Sequence, residues 1–381
     1  MTDWKASLRA DPIPWLLENA CAPIRYRVLT ELLDRGRDDA QVVEVRREVF
    51  EYPLARKLER TQRKDGSWGG AIHAGDPRRY EPSLENGLCR LFELGWDRDT
   101  KAVRKAAKAL RTYLSGKQDV PYFEFTKSVK ADERREQYYR WHLRILALGL
   151  LVPAGYVDAR TRLAVLELLD LTAGFVDSPI SRNPVEEIGA SLPLIRPASF
   201  RQNYVFMPDL YILRVFAHSP WLLDGEMAKM RLKKVFDYVL SPTYQALAPG
   251  LGLVRTAKGS FAKGSGIKIY GPEHYQKHGH VDELLVVLEA FARLGLINRY
   301  PLLMAHQEWI QSQQPKEGRW NLSTKLINET SRWTNLIRLE RDWRSPVRKE
   351  ADLTFRMLLI LKNQWDRQMR MLDRRDDGYP I

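Results

Sequence analysis

Three of the chain's seven histidines lie close together, in the segment HYQKHGHVDE at positions 274–283. A carboxylate near an imidazole can set its tautomer, so His280 and Asp282 form a candidate acid–base pair. His278 is a candidate substrate-binding residue beside them. His278 and His280 are also of the type that binds divalent metals, but two ligands so close do not define a metal site. In the structural alternative, the segment is a polar loop and Asp282 complements the dipole of the next helix.

Apolar residues recur at helical spacing along most of the chain, and this periodicity predicts an all-α protein. More apolar helix patterns alternate with more charged ones. A helix that is apolar all round is buried, whereas an amphipathic helix covers it. The order therefore predicts six inner helices ringed by five or six outer ones, an (α/α)6 barrel in which residues 1–381 form one domain. The predicted inner helices cover residues 25–35, 82–95, 136–151, 204–217, 280–295 and 349–362, and the outer helices cover 40–62, 101–116, 158–173, 226–240 and 300–314.

Two segments lie outside this alternation. Residues 1–23 are predicted to be a short lead. Residues 241–279 contain seven glycines and three prolines, which predicts a long loop at the barrel mouth. We expect a hairpin within that loop, at FAKGSGIKIY (261–270). A loop of this length inside a compact domain is usually functional.

One short element occurs twice, as QRKDGSW at 62–68 and as QPKEGRW at 314–320. Each copy follows a charged outer helix and precedes the turn to an inner one. The glycine can take a positive φ, the acid can bond free backbone N–H groups, the glutamine can bond backbone at a neighbouring turn, and the tryptophan can be buried. The element is therefore predicted to clamp adjacent repeats together. Its residues are Gln62, Asp65, Gly66 and Trp68 in the first copy, and Gln314, Glu317, Gly318 and Trp320 in the second.

This QxxDGxW pattern resembles the QW repeat of squalene–hopene and oxidosqualene cyclases. It is also similar to the repeat of the β subunit of protein prenyltransferases. The resemblance implies the α/α toroid of that superfamily and a terpenoid-cyclase-like enzyme. The two elements carry the resemblance directly, and the alternation of inner and outer helices extends it over most of the chain.

The catalytic signatures of that superfamily are missing from the sequence. There is no DxDD motif, the source of the acid in class II terpene cyclases, and no DDxxD motif for a diphosphate and Mg²⁺. GRDDAQ and RRDDGYP contain only pairs of aspartates. Prenyltransferase-like subunits and lanthionine cyclases bind zinc through cysteine, and neither Cys21 nor Cys89 has zinc-like spacing to a histidine. No cofactor is therefore predicted, and a divalent metal is left open.

A barrel cavity that opens beside the repeated elements would be lined by the N-terminal residues of the inner helices, where anions are favoured. An acid that replaces the DxDD motif would have to be a neutral carboxylic acid with its pKa raised by burial. The catalytic candidates are Asp209, Asp282, Asp352, His280 and His142. The substrate-binding candidates are Tyr139, Tyr204, His278, Lys263, Lys268 and Glu85, with Tyr80, Glu81, Glu136, Asn203, Glu283 and Glu350 in the same predicted lining.

The formal net charge is +13 and the isoelectric point about 9.6, which favours an anionic partner. No nucleic-acid-binding motif is present, so the predicted partner is a small hydrophobic or anionic substrate. The sequence shows no signal peptide and no apolar run of membrane-spanning length. Two cysteines make no disulfide framework, and a cytoplasmic location is expected. The sequence does not indicate an oligomeric state.

Three functions remain open at this point. In the first, the chain is a terpenoid-cyclase-like enzyme that carries out acid-initiated cyclisation, or other chemistry, on an isoprenoid or a similar hydrophobic or anionic molecule in the barrel cavity. In the second, it is an acid–base lyase or hydrolase that acts on anionic carbohydrate, because such barrels also host those enzymes. In the third, it is a non-catalytic helical scaffold. We take the first as the leading hypothesis on the strength of the resemblance, although a fold alone does not fix a function.

Overall fold

The computed structural model describes residues 4–72, 83–115, 133–186, 193–196, 204–256, 259–329 and 331–376. These residues are mostly helical, which confirms the prediction of an all-α chain at that level. No helix in this part of the chain has both the length and the apolar composition that a membrane crossing requires. Tyr80, Glu81 and Asn203, predicted to line the cavity, lie outside the described residues.

Sixteen α-helices are numbered here in chain order. The first eight are α1 (Ile13–Asn19), α2 (Ala22–Arg27), α3 (Ala40–Glu51), α4 (Pro53–Thr61), α5 (Leu84–Glu93), α6 (Lys101–Arg111), α7 (Glu133–Leu151) and α8 (Ala159–Asp177). The others are α9 (Leu210–Ala217), α10 (Glu226–Val239), α11 (Pro242–Gln245), α12 (Pro272–His278), α13 (Val281–Arg293), α14 (Pro301–Ser312), α15 (Arg332–Ile337) and α16 (Pro346–Asp376). A π-helical turn, Val28–Leu32, continues α2.

Local chemistry explains where several of these helices begin. The side chains of Asp39, Ser83 and Asp158 accept hydrogen bonds from backbone N–H groups in the first turns of α3, α5 and α8. Pro53 is the first residue of α4, where its missing N–H costs nothing. A proline inside the helix predicted over 40–62 indicates a kink or break, and at Pro53 it separates two helices, α3 and α4.

The helices with the more apolar sequences are neighbours of one another. Helix α13 packs against α16 and α9, α9 packs against α7, and α7 packs against α5. Helix α16 also packs against α2 and the π-helical turn, and its residues 351–362 are all buried. The more charged helices lie on this group: α3 on α2, α6 on α5 and α7, α8 on α7, and α10 on α8.

The predicted lead and the predicted loop both contain regular structure. Helix α1, inside the lead, packs against α16 and α2. The loop at 241–279 contains α11, α12 and a hairpin of Leu253–Thr256 with Gly259–Ala262. The hairpin is thus earlier than predicted, and within 261–270 only 261–262 belong to a strand. The hairpin joins two short strands, Val185–Glu186 and Leu194–Ile195, in a four-stranded sheet.

The first repeated element closes the end of α4. The buried Trp68 donates its indole N–H to the carbonyl of Leu58 at 2.8 Å, and Gln62 donates to the carbonyls of Gly66 at 3.0 Å and of Ala102 in α6 at 2.9 Å. The last carbonyls of a helix have no partner within it, so the indole satisfies one of them. Gly66 has φ +90°, and a Cβ there would lie 2.5 Å from the carbonyl oxygen of Lys105. Only glycine fits this position without a shift in α6.

The second element repeats this arrangement at the end of α14. The indole of the buried Trp320 donates to the carbonyl of Ile310 at 2.9 Å, and Gln314 donates to the carbonyl of Gly318 at 2.9 Å. Its other contact is with the start of the chain, because Gln314 also donates to the carbonyl of Ala10 at 3.2 Å. A Cβ at Gly318 would lie 2.7 Å from that same oxygen. In the second copy, the backbone at Ala10, just before α1, is therefore the partner of the glutamine and the glycine. In the first copy, the partner is the start of α6.

The acidic residues of the two elements differ. Asp65 accepts hydrogen bonds from the backbone N–H and the hydroxyl of Ser67, at 3.0 and 2.7 Å, and these bonds fix the turn. In the second copy Arg319 replaces the serine, and Glu317 is exposed. The ring of Trp68 packs against Gly87 of α5, where a Cβ would lie 2.5 Å from the ring.

Trp68→Ala and Trp320→Ala should each lower the free energy of unfolding by about 3–5 kcal/mol, because each removes a fully buried ring. Urea denaturation of the purified variants measures this. Trp68→Phe keeps much of the apolar contact but leaves the Leu58 carbonyl without its donor, so it should lose about 1–3 kcal/mol. Tyr270→Ala, at an exposed ring, is the control and should change stability by less than about 1 kcal/mol. Losses near zero for both tryptophans would show that the elements do not hold the repeats together.

Candidate functional site

Asp209 and Lys263, predicted to be a catalytic acid and a substrate-binding cation, form a buried ion pair with each other. Lys263 Nζ lies 2.6 Å from Asp209 Oδ2, and the two side chains are 1% and 3% exposed. Asp209 Oδ1 accepts from the backbone N–H of Ile212, so this aspartate caps α9. The pair fastens the segment after the hairpin to the start of α9. Lys268 is also buried, and its ammonium donates to the carbonyls of Gln245 and Leu247.

The structure does not form the predicted acid–base pair of His280 and Asp282. Asp282 is fully buried, and its Oδ2 accepts from the hydroxyl of Ser331 and lies 3.3 Å from the hydroxyl of Thr334. His280 is exposed, with φ +68°, at the residue that precedes α13. The described residues contain no hydrogen bond between the two side chains. Asp282 therefore connects α13 to the start of α15.

The remaining histidines of that segment lie on the protein surface. His278 is exposed, and its ring centroid is 4.7 Å from that of His274, which stacks on Tyr270 at 4.0 Å. Burial and the neighbouring histidines lower the pKa of His274. In the described part of the chain, no three His, Cys, Asp or Glu side chains are arranged to hold a metal ion.

Asp352 is a predicted acid with a strongly raised pKa. It is fully buried in α16 and accepts from the backbone N–H of Leu339 and the indole of Trp343, both at 2.6 Å. Burial raises its pKa to about 7, and the N–H donors oppose that shift. Its neighbour Glu340 accepts from the backbone N–H of Cys21, and burial raises the Glu340 pKa as well. This pair of carboxyl groups joins the segment before α16 to the start of α2.

The other predicted residues are split between two places. His142 stacks on Tyr138 with ring centroids 5.7 Å apart, and Tyr211 meets it edge-on at 5.7 Å. Tyr139 is buried next to Tyr138, at 5.3 Å. These rings form an aromatic cluster between α7 and α9. Glu85 is half-buried in the first turn of α5, and the side chain of Tyr204 lies outside the described residues.

A buried network of charges joins four of the neighbouring helices. Arg356 of α16 donates to Glu289 of α13 and, at 2.9 Å, to Glu93 of α5. Arg27 of α2 donates to the same Glu93 carboxylate at 2.6 Å, and Arg293 of α13 donates to Glu289 at 2.8 Å. Burial alone would raise the pKa of each glutamate, but the arginines hold both well below the usual range. The carboxylates therefore stay ionised.

A cavity of about 90 Å³ adjoins this network, and we call it the chamber. Its polar lining residues are Glu93, Arg214, His218, Glu289 and Arg293. Glu93 and Arg293 are 23% and 21% exposed, so the chamber reaches solvent. The apolar lining residues are Leu210, Leu213, Val286, Ala290 and Leu336. The volume is about that of three water molecules, which suits a small molecule or the head group of a larger one.

Arg214 is the cation in the chamber wall that lacks a carboxylate partner. It makes no ion pair with any residue that the structure describes, and its buried Nε there has no hydrogen-bond partner. One guanidinium nitrogen donates to Cys89 Sγ at 2.8 Å. Burial raises the pKa of the Cys89 thiol to about 11, so the sulfur is neutral. Burial opposes the charge of Arg214, but Cys89 and the more distant carboxylates of Glu93 and Glu85 hold its pKa above the ordinary value.

His218 follows α9 and completes the polar wall. Its Nδ1 lies 3.1 Å from the carbonyl oxygen of Arg214, which can only accept, so Nδ1 carries the proton and Nε2 has a free lone pair. Burial, with Arg293 and Arg214 nearby, lowers the pKa of His218 to about 3. The imidazole is therefore neutral at pH 7.

The chamber lies at the ends of the helices opposite to those expected from the sequence. Glu93 and Arg293 are the last residues of α5 and α13, and Arg214 is in the last turn of α9. None of the predicted lining residues that the structure describes lies in the wall of this chamber. A signal is present in the sequence, because each of these charges lies in, or at the end of, a helix that is mostly apolar. Arginines here also complement the negative end of the helix dipole.

Comparisons of this chain with protein-family models, with curated proteins and with solved structures give no match. A function for the chain is therefore argued from its own side chains.

The raised pKa of Asp352 gives a pH dependence of stability with a defined sign. An unfolded aspartate loses its proton near pH 4, whereas this one keeps it to about pH 7. Between those values the folded state binds more protons than the unfolded state, so the Asp352 contribution to the free energy of unfolding falls as pH rises. Between about pH 4 and pH 7, the Asp352 contribution to the free energy of unfolding should fall by about 4 kcal/mol at most.

Urea denaturation between pH 4.5 and 7.5 measures this contribution as the difference between the wild type and Asp352→Asn. The exposed Asp38→Asn is the matched control and should keep the wild-type pH dependence. A wild type and an Asp352→Asn variant with the same pH dependence would contradict the assignment.

Proposed function

We propose that the chain is an α/α toroid and an enzyme of the terpenoid-cyclase-like class in its architecture. Its chamber binds a small anionic group and transfers a proton to or from the bound molecule. Among the substrates considered from the sequence, the chamber favours an anionic molecule over a long polyene, because about 90 Å³ is too small for one. An anionic oligosaccharide would also need a longer cleft.

The packing order of the inner helices supports a closed ring. The contacts run from α2 to α16, then to α13, α9, α7 and α5, and Arg27 of α2 bonds Glu93 of α5 to complete the circuit. The second repeated element adds independent support. Gln314 donates to the carbonyl of Ala10, just before α1, and Gln62 donates to the carbonyl of Ala102, at the start of α6. Helix α1 is therefore placed relative to the second element as the outer helix α6 is placed relative to the first.

Arg214, which has no ion-pair partner among the described residues and whose buried Nε is unbonded, is the observation that carries the proposal of anion binding. A buried charge is costly unless it is paired, and a bound anion would supply the missing partner. Arg293 lines the same chamber and donates to Glu289, so it presents a second cation to the ligand. A carboxylate or phosphate group fits both the charge and the size of the chamber.

His218 supplies the proton transfer. In the free protein its pKa is low because the ring is buried and the two arginines repel a proton. A bound anion offsets that repulsion and raises the pKa, so Nε2 becomes a stronger base when substrate is present. Arg214 and Arg293 then stabilise the negative charge that develops on the substrate. Glu93 and Glu289 are held ionised by their arginine partners and serve to position those cations.

Arg214→Gln should weaken the binding of inorganic phosphate about tenfold to a hundredfold, since it removes charge-assisted hydrogen bonds. Isothermal titration at constant ionic strength measures the affinity, with acetate and malonate as further probes. Arg299→Gln, at an exposed arginine, removes the same charge and should leave the affinity within about twofold. Wild-type protein that binds none of these anions, or binds them equally well after Arg214→Gln, would refute the proposal.

Bound phosphate should raise the pKa of His218. The ring signals of His218 in NMR, assigned by their loss in His218→Gln, should stay at the neutral position from pH 8 to pH 5 in the free protein. With saturating phosphate they should titrate inside that range. A ring that remains neutral to pH 5 with phosphate bound would show that the imidazole does not respond to the ligand.

A further inference from the structure

A groove of about 390 Å³ lies at the same end of the inner helices as the chamber. It runs beside the π-helical turn that follows α2 and beside the C-terminal end of α5. This volume is within the range of small-molecule binding sites. Its lining residues are Tyr26, Thr30, Glu31, Arg35, Gly36, Arg37, Phe92, Gly95, Trp96, Asp97 and Pro153.

The groove and the chamber are adjacent. Phe92 lines the groove, and the next residue, Glu93, lines the chamber. Glu31 also lines the groove, and its Oε2 lies 3.7 Å from a guanidinium nitrogen of Arg293 in the chamber wall. Glu31 is neutralised mainly by Arg27, which donates to both of its oxygens, at 2.5 and 3.2 Å. Glu31 and Arg293 therefore connect the wall of the groove to the wall of the chamber.

The walls of the groove are chemically unlike those of the chamber. Tyr26, Phe92 and Trp96 supply aromatic surface. Gly95 keeps this surface accessible, because a Cβ there would lie 2.9 Å from the Tyr26 ring. The charge at the rim is already compensated, since Arg37 pairs with Asp97 at 3.1 Å. The groove therefore suits an apolar body, whereas the chamber suits an anionic head.

We infer that the groove is the second subsite of the chamber's ligand, and that this ligand is an amphiphilic anion. Its carboxylate or phosphate lies between Arg214 and Arg293, and its apolar body lies over Phe92 and the other aromatic rings of the groove. Glu31 is a positioning residue at the junction, because it bonds Arg27 and lies 3.7 Å from Arg293 of the chamber wall. This inference rests on the proposed function, which places the anion in the chamber.

A series of n-alkyl phosphates from ethyl to hexyl tests the inference against inorganic phosphate. Each methylene that enters the groove should raise the affinity about threefold, up to the length that the groove accepts. Isothermal titration of the wild-type protein measures the series. Inorganic phosphate that binds with dependence on Arg214, together with alkyl phosphates that bind no more tightly, would refute the second subsite and leave the proposed function intact. Failure of all phosphates to bind would instead refute the proposed function.

Thr30→Phe places a ring in the groove without touching the chamber. It should abolish the gain from the alkyl chain and leave the affinity for inorganic phosphate unchanged. Thr61→Phe is the matched control, because both hydroxyls donate to the carbonyl four residues earlier, and Thr61 is exposed on α4. Thr61→Phe should bind inorganic phosphate and each alkyl phosphate with the wild-type affinity.

Phe92→Ala is a second variant that removes apolar wall instead of filling the groove. It should reduce the gain per methylene, which is a ratio of affinities and is independent of the amount of folded protein. If hexyl phosphate keeps its full advantage over inorganic phosphate in both Thr30→Phe and Phe92→Ala, the alkyl chain binds elsewhere and the inference is wrong.

Discussion

The guanidinium of Arg356 is the group on which the arrangement of the more apolar helices depends. It lies in the buried stretch of α16 and bonds carboxylates on α5 and α13 at once. Each of those carboxylates has a further arginine, so no buried charge in this set is left alone. Buried ion pairs contribute little net stability compared with apolar packing, but loss of one partner is costly. Such a set therefore fixes which helix ends meet, and it does so where apolar packing alone would allow several registers.

The same network fixes the electrostatics of the chamber. Its carboxylates bond Arg27, Arg356 and Arg293, whereas Arg214 has no ion-pair partner among the described residues. The repeated elements act at the outside of the structure, where indole N–H groups satisfy helix-end carbonyls. The Arg356 network therefore joins the helices around the chamber, and the indole bonds hold the turns after α4 and α14. Together these contacts keep the wall that carries Arg214 and His218 in place.

The sequence predicts the helices well and the site poorly, for a physical reason. Periodicity and capping are local, so the alternation, the break at Pro53 and the two tryptophan elements can be read from short windows. The π-helical turn and the strands, two to four residues long, leave no such pattern. The chamber depends on partners such as Arg356 and Glu93, which are 263 residues apart. The three histidines at 274–280 are of a type that could take part in acid–base chemistry, yet their side chains are largely exposed.

Gly87 and Trp68 share one volume, since any side chain at position 87 would enter the space of the indole. Substitutions at these two positions are consequently not independent during divergence. A lineage that gains a side chain at position 87 must first lose or turn the tryptophan, and the reverse step requires the glycine to return. At the second copy the backbone N–H of Trp320 bonds the hydroxyl of Thr354 at 2.9 Å, a contact that depends on the side chain at position 354 and that any residue except proline would keep at position 320. The two copies of one element therefore evolve under different rules, and the first copy is the more difficult to change one residue at a time.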